Sequence, residues 1–272
     1  MSGFARRNTR ERRLDAQAKP FLPGAEPIAL DAGSRGVLIL HGFGDTPQSV
    51  RGLASTFHEH GWTVRAPALR GHGSTLDAFT KGRADEWLTD ARTALQQLQA
   101  RSRRVAIIGQ SMGGALATIL AAEARVDALV LLVPFLAMSP RGLAIARFHR
   151  VVSLFTPSLR SRSDSSILDP VARRHALGRG IATPRLVHEL ALVVQRARRS
   201  AARVRVPALV IHSRGDPRIA AAAAEEAFKR LGSPEKRIEW VARSGHVVSV
   251  DHDRDWVAKR ALDWLDAHTP IE

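Results

Sequence analysis

The sequence predicts an α/β fold in which a mostly parallel sheet is flanked by helices and a helical segment is inserted late in the sheet. The first observation is a series of short apolar runs separated by stretches of helical length, at residues 37–40, 62–64, 105–108, 129–133, 209–211 and 238–241. Continuous runs of this kind are typical of parallel strands covered on both faces. The second observation is that the alternation stops between residues 135 and 206, where four prolines punctuate helical pieces.

The elements follow this alternation in order. Helix-like stretches such as residues 50–60 and 85–100 separate the first four runs, and Asp85 and Glu86 place negative charge where it suits the start of a helix. Residues 114–121 are almost wholly apolar, which indicates a buried helix. Pro207 then restarts the strand–helix alternation. We therefore expect one core built from residues 21–135 and 207–272, with residues 136–206 inserted into it.

Composition limits the class of protein. The chain has 272 residues, enough for one large domain with an insertion. No apolar stretch approaches the ~20 residues that a membrane-spanning helix needs, and the Arg-rich residues 1–20 lack the apolar centre of an export signal. Cysteine is absent, which excludes disulfides and thiolate catalysis. These observations predict a cytoplasmic protein.

Positive charge is concentrated in the predicted insertion. The formal net charge is +15, and residues 136–206 contribute +11 of it, while residues 1–20 carry +4 and are expected to form a flexible basic tail. Residues 141–155 and 185–203 mix apolar side chains with arginine, as amphipathic basic helices do. We expect their apolar faces to pack on the core as a cap over a pocket. A sharper hypothesis is that the cap attracts an anionic membrane surface or an acidic ester.

The most informative motif is Gly109-Gln110-Ser111-Met112-Gly113. It follows the apolar run at residues 105–108 and leads into the predicted buried helix. A strand, a sharp turn with serine at its apex and a helix form the nucleophile elbow of the G-x-S-x-G type. The small residues allow the tight turn, and the helix directs its N-terminal amides toward an oxyanion beside the serine. The motif predicts Ser111 as a nucleophile.

A serine nucleophile needs a histidine base that is oriented by a carboxylate, and in this chain order both follow the serine. Asp216 lies just beyond the apolar run at 209–211, and His246 lies just beyond the run at 238–241. Loops at the carboxyl ends of parallel strands are where open sheets meet ligands. By contrast, Asp127 precedes its predicted strand, which places it at the opposite edge of the sheet. We therefore predict Asp216 and His246 as the partners of Ser111.

The oxyanion formed during acyl transfer also needs hydrogen-bond donors. One predicted donor is the backbone N–H of Met112, directly after the nucleophile. The other is expected in the loop after the first core strand, His41-Gly42-Phe43-Gly44-Asp45-Thr46-Pro47. The backbone N–H of Phe43 is the candidate there, and its ring is expected to form a wall of the acyl pocket.

Several motifs together resemble the α/β-hydrolases. They are His-Gly-Phe at 41–43, Arg-Gly-His-Gly at 70–73, Gly-Gln-Ser-Met-Gly-Gly at 109–114, Gly-Asp at 215–216 and Ser-Gly-His at 244–246. More narrowly, they resemble bacterial carboxylesterases of the monoacylglycerol lipase type, over residues 24 to 264. The resemblance implies Ser111 as nucleophile, Asp216 as orienting acid and His246 as base. One departure is Pro217 and Arg218 after the acid, where relatives often carry a more open turn.

The resemblance implies a serine carboxylester hydrolase that cleaves short- to medium-chain acyl esters, such as monoacylglycerols, through an acyl-enzyme. It implies no cofactor and no metal, and the sequence contains no H-E-x-x-H motif. Two alternatives stay open: a thioesterase, acyltransferase or carbon–carbon hydrolase using the same triad, and a non-catalytic scaffold whose basic cap binds membranes or nucleic acid. No nucleic-acid motif is present, so no specific nucleic-acid partner is expected. The oligomeric state is not predicted.

Overall fold

A seven-stranded sheet forms the centre of the computed structural model, which describes residues 21–160 and 166–270. Its strands are β1 (Ile28–Leu30), β2 (Arg35–Leu40), β3 (Trp62–Ala66), β4 (Arg104–Gln110), β5 (Ala128–Leu132), β8 (Ala208–Ser213) and β9 (Lys236–Val241). Two short strands, β6 (Leu159–Arg160) and β7 (Ile181–Ala182), form a separate antiparallel pair. The predicted basic tail at residues 1–20 lies outside the described residues.

The order of strands in the sheet is β1-β3-β2-β4-β5-β8-β9. Strand β1 pairs antiparallel with β3, and every other pairing in this sheet is parallel. The six parallel strands coincide with the six apolar runs, so the predicted mostly parallel α/β sheet is confirmed. Because the parallel strands point the same way, the loops after β4, β8 and β9 all emerge at one edge of the sheet.

The described residues form ten α-helices. In chain order they are α1 (Arg51–Glu59), α2 (Leu76–Thr80), α3 (Ala84–Gln99), α4 (Met112–Glu123), α5 (Pro140–Arg147), α6 (His149–Phe155), α7 (Pro170–His175), α8 (Pro184–Ala201), α9 (Ala221–Arg230) and α10 (Arg254–His268). A 3-10 turn, Pro47–Val50, precedes α1. Several of the helices begin as sequence chemistry predicts. The side chains of Thr75, Ser139 and Thr183 each accept a backbone N–H in the first turn of the following helix.

Two apolar clusters cover the two faces of the sheet. Alternate residues of β2 divide between them, with Leu38 and Leu40 on one face and Val37 and Ile39 on the other. The first face packs against α3, α4 and α8, and the second packs against α1 and α10. Helix α4 is buried over nearly its whole length, as its apolar sequence predicts. This double covering holds the strand ends in fixed positions.

The segment between β5 and β8 contains helices α5 to α8. Helix α8 packs its apolar face, which includes Leu186, Leu190 and Val193, into the core cluster beside α4. The expected amphipathic helix over residues 141–155 is two helices instead. The chain leaves the α-helical region at Phe148, where φ is −103° and ψ is 25°, so α5 ends at Arg147 and α6 begins at His149.

The apolar side chains of α5 and α6 are only partly covered. Helix α6 has no buried residue, and Leu154 and Phe155 are 79% and 82% exposed. Ala146 is buried, however, and Ile145 and Val152 are half-buried. The role of residues 141–155 as part of a cap therefore stays a prediction. Within the described residues, no helix has the length and apolar character needed to cross a membrane.

Candidate active site

Ser111 lies at a strained turn between β4 and α4. Its φ is 54° and its ψ is −117°, a conformation that costs an L-residue on the order of 1–3 kcal/mol. The flanking glycines make the turn possible. A Cβ on Gly113 would lie 2.1 Å from the carbonyl oxygen of Leu40, and a Cβ on Gly109 would lie 2.3 Å from that of Gly113. The elbow therefore excludes larger residues at both positions and presents the Ser111 hydroxyl at the carboxyl edge of the sheet.

The structure brings the three predicted side chains into one hydrogen-bonded line. His246 Nε2 lies 2.8 Å from Ser111 Oγ, and His246 Nδ1 lies 2.7 Å from Asp216 Oδ2. Asp216 lies in the loop after β8 and His246 in the loop after β9, at the edge where the elbow emerges. The side chain of Asp216 is fully buried and that of His246 is 8% exposed. This arrangement allows a proton to pass from the serine to the imidazole.

The loop after β8 fixes the carboxylate of Asp216. Its Oδ1 accepts the backbone N–H groups of Arg218 (2.8 Å) and Ile219 (3.1 Å), which leaves Oδ2 to face the imidazole. Burial raises the pKa of Asp216, but the hydrogen bond and charge of His246 outweigh that effect, so the pKa lies below its ordinary value. The buried His212 bonds the carbonyl of Ile219 at 3.0 Å and closes the same turn. The carboxylate is thus held ionised and oriented.

The predicted oxyanion loop approaches the serine closely. A Cβ on Gly42 would meet Ser111 Cβ at 3.3 Å, which brings the backbone of the following Phe43 beside the elbow. Within the described chain, neither the N–H of Phe43 nor that of Met112 is taken by another acceptor. Met112 is the first residue of α4, where backbone N–H groups have no partner within the helix. Two donors therefore stand near Ser111.

Two buried histidines support this loop. His41 accepts the backbone N–H of Leu69 at Nε2 (3.2 Å) and donates from Nδ1 to the carbonyl of Gly42 (2.9 Å). Its ring lies 5.1 Å from that of His72, which also contacts Phe43 edge-on at 6.1 Å. Burial lowers the pKa of His41 to about 4 and that of His72 to about 3. Both imidazoles are therefore neutral in the folded protein at pH 7.

The loop that carries His246 is bonded to the inserted segment. The carbonyl of Ser166 accepts the backbone N–H groups of His246 (2.8 Å) and Val247 (2.9 Å). The carboxylate of Asp251, which is fully buried, accepts four further backbone N–H groups at 2.7–2.9 Å, from Gly245, Leu168, Asp169 and His252. The position of the histidine loop therefore depends on both the core and the insertion.

A cavity of about 440 Å³ opens above Ser111. Its apolar wall is formed by Phe43, Phe135, Ile167, Leu190 and Val247. Its polar lining includes Asp45, Ser166, Arg173, Arg179 and Arg218. Burial raises the pKa of Asp45 to about 6, against hydrogen bonds from Ser49 and Thr46. Among the described residues, no group of three or more His, Asp or Glu side chains is placed to hold a metal ion.

The five residues predicted from the sequence, Phe43, Ser111, Met112, Asp216 and His246, lie together at one edge of the sheet. The competitor Asp127 lies at the opposite edge of the sheet, where it binds the guanidinium of Arg104 and the N–H of Val105. The contacts of Asp251 and Ser166 with the histidine loop were not predicted from the sequence. Asp251 ends the motif Ser-Gly-His-Val-Val-Ser-Val-Asp, so its short distance in sequence from His246 was the available signal.

A comparison with protein families shows which family the chain belongs to. Residues 33–253 match the family model described as Serine aminopeptidase, S33 (Hydrolase_4). The chain belongs to this α/β-hydrolase family. The resemblance found from the motifs is thereby confirmed, as is the fold.

The chain is similar to proteins named as a lipase, a carboxylesterase and lipolytic enzymes. The chain is 29% identical to the thermostable monoacylglycerol lipase of Bacillus sp. strain H-257, over 92% of this chain and 97% of that protein. It is 23% identical to a carboxylesterase of Bacillus subtilis strain 168, over 89% and 96%. A solved structure from work on the metagenome-derived lipolytic enzymes LipS and LipT shares 31% identity and a TM-score of 0.83, covering 92% of this chain and all of that one.

Proposed function

We propose that this protein is a serine carboxylester hydrolase that cleaves short- to medium-chain acyl esters such as monoacylglycerols. The observation that carries the proposal is the line from Asp216 through His246 to the hydroxyl of Ser111, with spacings of 2.7 and 2.8 Å. The named relatives, a monoacylglycerol lipase and a carboxylesterase, support the same reaction class. The apolar wall of the cavity suits an acyl chain.

The reaction follows from the roles proposed for these residues. His246 Nε2 takes the proton of Ser111 as Oγ attacks the ester carbonyl, and the Phe43 and Met112 N–H groups bind the resulting oxyanion. His246 then gives the proton to the departing alcohol, which leaves an acyl-enzyme on Ser111. Water, deprotonated by the same imidazole, attacks this ester. The carboxylic acid departs and Ser111 regains its proton. Asp216 stabilises the imidazolium that forms in each half.

The experiment compares the wild type with Ser111→Ala on four substrates: 1-butyrylglycerol, p-nitrophenyl butyrate, a butyryl thioester and alanine p-nitroanilide. We expect the esters to be turned over with the higher kcat/KM, and Ser111→Ala to lose a factor on the order of 10⁴ or more. Ser34→Ala, an exposed serine at the opposite edge of the sheet, is the matched control. A preference for the thioester would favour the thioesterase alternative, and unchanged turnover in Ser111→Ala would refute the nucleophile.

We further propose that residues 136–206 act as a cap that contacts an anionic membrane surface. Five exposed side chains on α5, on α6 and at the break between them form what we name the apolar patch: Leu143, Phe148, Val151, Leu154 and Phe155. Exposed arginines surround it, and the guanidinium of Arg147 lies 5.5 Å from the ring of Phe148. Apolar side chains bordered by cationic ones suit helices that lie in the interface of an anionic bilayer.

Vesicle binding tests this contact. We expect stronger binding to phosphatidylglycerol-containing vesicles than to pure phosphatidylcholine, and weaker binding at high salt. Phe155→Ser in the apolar patch should reduce binding, while Trp256→Ser, an exposed aromatic on α10, should not. Equal binding of all three proteins would refute the patch. A dimer that Phe155→Ser dissociates, without vesicle binding, would assign the patch to a second copy of the chain instead.

A further inference from the structure

Two guanidinium groups line the cavity above Ser111 without a carboxylate partner. Arg179 and Arg218 both belong to the cavity wall, and neither forms an ion pair with any residue of the described ranges. Some exposed arginines elsewhere do form ion pairs: Arg230 lies 2.7 Å from Glu226, and Arg254 lies 3.0 Å from Asp169. The positive charge beside the nucleophile therefore forms no direct ion pair, although the carboxylates of Asp216 and Asp45 act on Arg218 from beyond ion-pair distance.

Arg179 is half-buried against the oxyanion loop. Its backbone N–H donates to the carbonyl of Gly44 at 2.6 Å, and its Nη2 donates to the carbonyl of Ser74. Its Nε is inaccessible to solvent and has no acceptor among the described residues. A desolvated cation whose hydrogen-bonding capacity is only partly used is unfavourable, and an anion nearby would relieve that cost.

Arg218 presents the end of its guanidinium for binding. Its Nε donates to the hydroxyl of Ser166 at 2.7 Å, which fixes the orientation of the planar group. Its two Nη atoms make no hydrogen bond within the described chain. Desolvation lowers the pKa of Arg218, although the charges of Asp216 and Asp45 oppose this effect. The two Nη atoms match the spacing of the two oxygens of a carboxylate or phosphate.

We propose that the cavity accepts esters that carry an anionic group, a carboxylate or a phosphate, and that Arg179 and Arg218 bind this group while Ser111 attacks the ester carbonyl. This substrate class rests on the ester hydrolysis proposed above and leaves its chemistry unchanged. Only the acyl C–O bond is cleaved, and the anionic group serves for binding. A neutral ester would use the apolar wall but would leave both guanidinium groups without an anion.

The experiment uses matched ester pairs that differ in charge. Monomethyl adipate is compared with methyl hexanoate, and 1-butyrylglycerol 3-phosphate with 1-butyrylglycerol, each at low and high salt. We expect the charged member of a pair to have a kcat/KM about tenfold higher at low salt, because one charge-assisted hydrogen bond supplies a factor of this order. High salt should reduce the ratio. A preference for monomethyl adipate over methyl hexanoate identifies a carboxylate as the bound group. A preference for 1-butyrylglycerol 3-phosphate over 1-butyrylglycerol identifies a phosphate.

Substitutions of Arg179 and Arg218 test whether these residues cause the preference for charged esters. Arg179→Gln and Arg218→Gln should each lower the ratio of charged to neutral kcat/KM by about tenfold. The control Arg174→Gln removes an equal charge from an exposed position on α7 outside the cavity lining, and should keep the ratio of the wild type. Circular dichroism of each variant establishes that it is folded. A ratio near one in the wild type for both pairs, or a ratio that falls equally in all three variants, would overturn the proposal.

Failure of this proposal is distinguishable from failure of the proposed function. If neutral esters are hydrolysed in a Ser111-dependent manner and charged esters are not preferred, only the anion site is refuted. If Ser111→Ala hydrolyses every ester as fast as the wild type, the proposed function itself is refuted. Calorimetric titration of Ser111→Ala with monomethyl adipate then decides whether the cavity binds an anion without catalysis.

Discussion

The buried His72 predicts an acid-sensitive stability that a single substitution can remove. The imidazole is enclosed by the rings of His41, Phe43, Phe79 and Trp87, with centroid distances of 5.1–6.1 Å. Its Nε2 has no partner among the described residues. Burial, together with the charge of His41, lowers the pKa of His72 from 6.5 to about 3. The folded state therefore excludes a proton that the unfolded state binds.

The sign and size of the effect follow from that difference. A group with a depressed folded-state pKa contributes stability above pH 6.5, and this stability is lost as the pH falls toward 3. Each decrease of one pH unit below 6.5 lowers the free energy of unfolding by about 1.4 kcal/mol, so His72 accounts for a loss of about 2 kcal/mol between pH 8 and pH 5. The loss at pH 5 depends only on the unfolded-state pKa, because the folded group is still neutral there.

Urea denaturation at a series of pH values measures this loss. His72→Phe keeps an aromatic ring in the cluster but has no proton to bind, so its free energy of unfolding should fall by about 2 kcal/mol less than that of the wild type between pH 8 and pH 5. His252→Gln, at an exposed position, is the control and should follow the wild type. Parallel curves for the wild type and His72→Phe would refute the reasoning.

Three further predictions concern the surroundings of the site. Asp45→Asn should raise the free energy of unfolding above pH 6 by up to about 3 kcal/mol and leave it unchanged below pH 4, since burial raises the pKa of this carboxyl from 3.8 to about 6. Urea denaturation that gives the variant and the wild type equal stabilities at pH 8 would contradict this. Asp251→Asn turns an amide N–H₂ toward backbone donors that include the N–H of Gly245. Steady-state kinetics should show kcat reduced on the order of tenfold with KM little changed, and no surface substitution should restore kcat. A wild-type kcat would exclude a positioning role. Gly113→Ala should lose more than about 4 kcal/mol of stability in thermal or urea unfolding, because the added Cβ meets the carbonyl of Leu40; a stable, active variant would contradict the elbow geometry.

The sequence was sufficient to predict the parallel strands and the residues at their carboxyl ends. Apolar runs of three to five residues identify strands because both faces of this sheet are covered. Strands that point the same way then bring the loops after β4, β8 and β9 to one edge. Ser111, Asp216 and His246 could be selected for this reason, although they are far apart in the chain. Their catalytic roles stay a prediction.

What the sequence did not predict depends on contacts between distant segments. Residues 141–155 form two helices divided at Phe148, and Leu154 and Phe155 of the second helix are exposed. Periodicity alone cannot distinguish an exposed apolar face from a buried one. The environment of Arg218 depends on Ser166, which approaches it from the inserted segment. The role of Asp251 depends on N–H groups from residues 168, 169 and 245 meeting at one carboxylate. The residue pattern within one segment does not show which distant segments contact each other in the fold.

The most direct test of the account is to label the nucleophile with a fluorophosphonate and to identify the modified peptide by mass spectrometry. Such a probe forms a covalent adduct only with an activated hydroxyl, so the wild type should carry one adduct, on Ser111. Ser111→Ala should carry none, and His246→Gln should react at least about a hundredfold more slowly because the base is missing. An adduct on a different residue, or labelling of Ser111→Ala at the wild-type rate, would contradict the assignment of Ser111 and His246.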